Sequence, residues 1–113
     1  MRLEIRRRGV TITDKLRTYL KERLRLAFGR FAHRIDLIRV YLREVKGPRG
    51  RMGKNCRIVA ELPPRGRVIL TGEAANVSAA IANTAKRAGF AVRRHLLRRR
   101  ASRRPSRRSL SVG

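Results

Sequence analysis

The sequence has no acidic residue after Glu73. The forty positions that follow hold eleven Lys and Arg, from Lys86 to Arg108, with nothing of opposite sign. Cysteine is almost missing as well. Cys56 stands alone, which excludes an internal disulfide and a metal site of Cys ligands; in a strand-like stretch it reads as a buried structural thiol. Trp is absent, and the other aromatics are only Phe28, Phe31, Phe90, Tyr19 and Tyr41, too few for single-strand binding on a platform of stacked rings. No segment approaches the roughly 20 apolar residues of a membrane span. The Met1–Arg8 start lacks the apolar run of a signal peptide. The expectation is a soluble, cytoplasmic protein with no membrane partner.

Chemistry-bearing clusters are equally sparse. His33 and His95 fall in different elements, with no nucleophile near either in sequence. His95 reads as a satisfied, partly buried side chain, and His33 as solvated at a turn. The seven carboxylates are scattered, so neither an acid–base pair nor a metal cluster is suggested. Gly47, Gly50 and Gly53 lack the Lys and Ser or Thr of a phosphate-binding loop. No enzyme activity, cofactor, metal or small-molecule substrate is expected.

What the chain has is positive charge. Its net charge is +24 on 113 residues, which repels itself and attracts polyanions. Arg outnumbers Lys twenty-six to five. GC-rich coding explains that choice between two basic residues, but not the excess of base over acid. The length suits one domain. At 42% apolar residues, a small core is possible, burying roughly 60–70% of the unfolded surface.

Alternation of Leu3 and Ile5 with Glu4 and Arg6 predicts a strand ending at Gly9. Thr11 or Thr13 can cap a helix, with Asp14 favoured in its first turn. Leu16, Leu20, Leu24, Ala27, Phe28 and Phe31 then recur at helical spacing as one core-facing stripe, with Arg17 and Arg23 at its flanks. Residues 35–45 alternate as a second strand, with Ile38, Val40 and Leu42 on one face and Arg39, Tyr41 and Arg43 on the other. Gly47–Lys54 reads as a flexible basic loop. Cys56–Leu62 and Arg67–Thr71 are the third and fourth strands, joined by a turn at Pro63–Gly66. Asn76 or Ala75 opens a second helix. Its inner arc runs from Val77 through Ala80, Ile81 and Ala88 to Leu96. Gly89 in its middle costs about 1 kcal/mol relative to Ala, and the small inner residues suggest close helix approach. The order is β-α-β-β-β-α: an α+β domain over residues 1–98, with two helices packed on one face of a four-stranded sheet. Residues 99–113 read as a disordered basic tail.

The second helix carries the sharper signal. Lys86, Arg87, Arg93, Arg94 and Arg98 form a basic face with no acid available to pair with it, and Arg can bind phosphate in a bidentate way. Phe90 lies amid this face, able either to stack on a base or to cover a loop. The tail adds attraction to any polyanion without choosing one. The residues alone allow a general RNA or DNA binder, or a chaperone without preference for one target. They also allow a module for an acidic protein.

Joint order and spacing narrow this. Leu3-Glu4-Ile5, then Val10 to Asp14 leading into the helix, the strand–loop–strand–turn–strand stretch from Ile35 to Glu73, and Gly72-Glu73-Ala74-Ala75-Asn76-Val77-Ser78-Ala79-Ala80-Ile81 together resemble the ribosome hibernation promoting factors, or ribosome-associated inhibitors. The resemblance covers residues 1 to about 98. It implies a double-stranded-RNA-binding-like fold. It also implies binding to small-subunit rRNA in the channel of mRNA and tRNA, and inhibition of translation. Arg17, Arg23, Arg87 and Arg94 stand where the family has basic positions. Asn76, Val77 and Ser78 replace a usual acid-Met-Tyr, and the tail is basic rather than acidic. The C-terminal dimerisation domain of long members has no counterpart here, so the chain is not expected by itself to pair ribosomes into dimers, and a monomer is expected when it is free.

Overall fold

The computed structural model describes residues 1–103. Strand β1 (Arg2–Arg8) is followed by helix α1 (Asp14–Phe28), strands β2 (Leu37–Lys46), β3 (Met52–Glu61) and β4 (Arg67–Ala74), and helix α2 (Val77–Arg103). The strands form one sheet in the order β1-β2-β3-β4. β1 pairs parallel to β2, with Leu3 opposite Ile38 and Ile5 opposite Val40. The other two pairings are antiparallel. A parallel pair needs a crossover, and α1 supplies it. The fold is the β-α-β-β-β-α, α+β arrangement that the residue pattern predicts.

Period-two burial fixes which face the helices cover. Ile38, Val40 and Leu42 of β2 meet Ala60, Ile58 and Cys56 of β3 in register, all fully buried. Leu20, Leu24 and Phe28 of α1 close over them with no more than 1% exposure, each contributing about 1.5–3 kcal/mol of hydrophobic burial. α2 adds Ala80, Ile81, Ala88 and Val92. Burial raises the Cys56 thiol to about 11, the Thr84 hydroxyl opposing only in part. Cys56 is therefore an inert core residue. His95 is half-buried as expected, but its Nε2 has no hydrogen-bond partner among the described residues; it packs against the Pro63–Gly66 turn, where a Cβ on Gly66 would meet it.

Both helix starts are capped. The Thr13 hydroxyl accepts from the Leu16 N–H at 3.0 Å, so Thr13 rather than Thr11 is the cap. The Asn76 side chain accepts from the Ala79 N–H at 2.8 Å. Gly29 ends α1 at φ +49, its N–H bonded to the Arg25 carbonyl, and a 3-10 turn over Gly29–Arg34 follows.

The two helices run parallel. Near their starts the Tyr19 hydroxyl donates to the Ser78 carbonyl at 3.4 Å. Further along, Ala27 meets Gly89 so closely that a Cβ at Gly89 would lie 2.3 Å from the Ala27 carbonyl oxygen. The propensity lost at Gly89 is thus exchanged for backbone contact between helices.

Three boundaries differ from the sequence reading by three residues or more, while β2 shifts only from 35–45 to Leu37–Lys46 and β3 ends at Glu61 rather than Leu62. β3 begins at Met52, not Cys56, because the 47–54 stretch closes as a tight hairpin. The Gly47 N–H bonds the Arg51 carbonyl at 2.6 Å, and Glu44 pairs with Lys54 at 3.4 Å. β4 runs on to Ala74, three residues beyond Thr71. α2 continues to Arg103, five residues beyond 98. Arg and Ala favour helix over these residues. The rest of the expected tail, 104–113, lies outside the described residues.

Candidate nucleic-acid interface

Positions seven apart on a helix differ by about 20° in direction and 10.5 Å along the axis. Lys86 and Arg93 therefore share one row of α2, and Arg87 and Arg94 share another, about 100° away. The structure separates these rows by their neighbours. Lys86 and Arg93 lean toward α1 and meet Arg23 around a cleft of about 410 Å³. The Arg87 Nη1 instead donates to the Thr71 carbonyl of β4 at 2.8 Å, which ties α2 to the sheet edge. Arg94 and Arg98 are exposed and fall on the same side of α2 as Arg87. The single stripe expected on α2 is thus two rows on either flank of the helix.

Arg17 is exposed and does not line the cleft. It lies about 120° around α1 from Arg23, away from the side that Tyr19 and Ala27 turn to α2. Arg23 is half-buried. Its Nε is a buried donor with no hydrogen-bond partner among the described residues, so an acceptor brought into the cleft would satisfy it.

Two cleft residues escaped the sequence reading, Arg30 and Leu26. Arg30 comes from the 3-10 turn after α1 and lies over the Phe31 ring at 5.4 Å. Leu26 is 58% exposed and Phe90 57%. Both are large exposed apolar side chains on helix faces rich in basic residues, and that mismatch was the signal available. Phe90 lines the same cleft as Gly29, Arg30 and Phe31 of the turn after α1. No carboxylate lines the cleft among the described residues, and none of Arg23, Lys86 and Arg93 takes part in the ion pairs found there. Cations held close together without counter-charge in this way favour an anionic ligand. Among the described residues, no group of His, Cys, Asp and Glu is placed to hold a metal ion, and no helix is long and apolar enough to cross a membrane.

Comparison with known proteins places the chain in a family. The profile of the sigma 54 modulation protein / S30EA ribosomal protein family matches residues 3–100. The chain belongs to that family, in agreement with the resemblance to hibernation promoting factors. A search of curated protein sequences found no match. Among solved structures, a ribosomal subunit interface protein from Coxiella burnetii is similar at a TM-score of 0.74 and 14% identity, over 86% of this chain and 99% of that one. The N-terminal domain of Thermus thermophilus Protein Y is similar at a TM-score of 0.66 and 23% identity, over 84% and 99%. At these identities the likeness bears on the fold alone.

Proposed function

We propose that this protein is a non-enzymatic, cytoplasmic hibernation factor, a monomer when free, that binds small-subunit rRNA in the mRNA and tRNA channel and thereby inhibits translation. Membership of a family of ribosome-associated proteins supports the ribosome as target. The observation that carries the RNA contact is the gathering of Arg23, Lys86 and Arg93 around one cleft between the helices that no carboxylate lines among the described residues. Arg87, Arg94 and Arg98 extend the same basic surface over the other flank of α2, and Arg17 adds a more distant contact on α1. Inhibition follows from bulk: a folded domain held in the channel excludes the RNAs that must pass there.

Purified small subunits test this directly. The protein is expected to sediment with them at low salt and to prevent binding of mRNA-directed initiator tRNA to the P site. Simultaneous occupancy by protein, mRNA and tRNA would sink the channel reading. A protein that stays at the top of a low-salt gradient of lysate would reject the ribosome as target.

A further inference from the structure

The cleft between α1 and α2 is more than a concentration of charge. Its floor is the point where the Ala27 and Gly89 backbones touch, which brings the two walls close. Leu26 and Phe90 stand on either side, both more than half exposed. The volume, about 410 Å³, lies in the range of about 300–1,000 Å³ typical of small-ligand sites. Exposed apolar walls of this kind are out of place on a surface whose only task is to meet phosphates. Cations around the mouth are equally out of place in a groove for an apolar or basic peptide.

We propose that this cleft receives a single unpaired nucleotide of RNA, its base stacked against Phe90 and its flanking phosphates held by Arg23, Lys86 and Arg93. The idea rests on the reading of the helix face as RNA-binding and adds a requirement to it. The chemistry of the two parts fits one ligand. A base extruded from a helix presents a flat apolar face that stacks on aromatic rings, and its backbone passes the mouth as a line of negative charge. The buried Arg23 Nε gains an acceptor. Paired RNA offers the phosphates but not the base, so it leaves Phe90 and Leu26 in water.

Two RNA hairpins of equal charge test this, one fully paired and one with a single bulged adenosine, titrated with the full chain at fixed salt. The wild type is expected to bind the bulged hairpin about tenfold more tightly. Phe90→Ala is expected to lose that preference while binding the paired hairpin as before, and Phe90→Tyr to keep it. Phe90 is 57% exposed, so its truncation leaves the core intact, which a thermal melt verifies. Equal wild-type affinity for the two hairpins overturns the proposal, as does an equal loss on both in Phe90→Ala. Adenosine monophosphate is the third probe. Saturable, Phe90-dependent binding of it as tight as that of the bulged hairpin would make the cleft a site for free nucleotides and likewise overturn the proposal. Wild-type sedimentation with ribosomes separates the two readings. If it persists while both hairpins bind alike, the base site fails and the ribosome reading stands.

Discussion

On the sheet, Arg39 and Arg6 share Glu4 at 3.4 and 3.8 Å, Arg67 reaches Glu61 at 2.8 Å, and Arg2 reaches Asp36 at 3.6 Å. On the helix side, Arg23, Lys86 and Arg93 crowd one cleft that, among the described residues, no carboxylate lines. The residue types are similar and the settings are opposite. Arg57 on the open sheet face has a partner too, lying over the Tyr41 ring at 5.8 Å. Exposed ion pairs of this kind stabilise by only about 0–1 kcal/mol each, but they lower the field that an incoming polyanion meets. Placement relative to acid, and not the number of arginines, separates a binding surface from a solvated one.

The largest expected effect comes from moving an identical charge change between the two faces. Lys86→Glu with Arg93→Glu is expected to weaken association with small subunits roughly 100-fold or more, since each charged contact is worth about 1.5–3 kcal/mol. Arg39→Glu with Arg67→Glu alters the net charge equally and should weaken association at least tenfold less, with a small loss of stability. Equal losses in a sedimentation assay would break the comparison.

Gly89→Val comes next. Helix propensity alone favours any side chain over Gly, yet overpacking against the Ala27 carbonyl is expected to destabilise the fold by about 1–3 kcal/mol in denaturant unfolding. Increased stability would show that the helices need not touch.

Salt sharpens the contrast. Lys86→Ala should lower the slope of log affinity against log salt by about 0.7–0.9, the share of one phosphate contact, whereas Arg57→Ala should leave it unchanged. The smallest effect belongs to the core that both faces share. With its thiol at about 11, Cys56 should resist alkylation at pH 8 until the protein unfolds. Because the folded value is raised above the ordinary 9.0, its contribution is whole below about pH 9 and fades as the pH climbs toward 11. Cys56→Ala should lack that part of the alkaline decline, measured as unfolding free energy against pH.

Much of the scaffold was legible because periodicity reports burial directly. Leu20, Leu24 and Phe28 recur at helical spacing, and Ile38, Val40 and Leu42 alternate, so α1 and β2 could be read with their inner faces. The caps at Thr13 and Asn76 were among the alternatives, and hydrogen bonds decided between neighbours that local sequence left equivalent. The site was legible only as a set of charges. Which side of α2 faces α1 depends on where Gly89 meets Ala27, a contact between residues sixty-two positions apart. Without it, Lys86 and Arg93 cannot be told from Arg87 and Arg94. Arg30 was hidden for a related reason: it sits in an irregular turn, where no period marks direction.

The parallel pairing of β1 with β2 also has a consequence in time. Arg2 waits for Leu37, thirty-five residues later, before its ladder can form. At synthesis rates of about 5–20 residues per second, that interval is roughly two to seven seconds. Throughout it, the newborn strand offers an open edge of the kind that joins other chains. Arg2, Arg6, Arg7 and Arg8 make two such edges repel each other. The charge on β1, remote from the cleft, guards the chain before there is a fold.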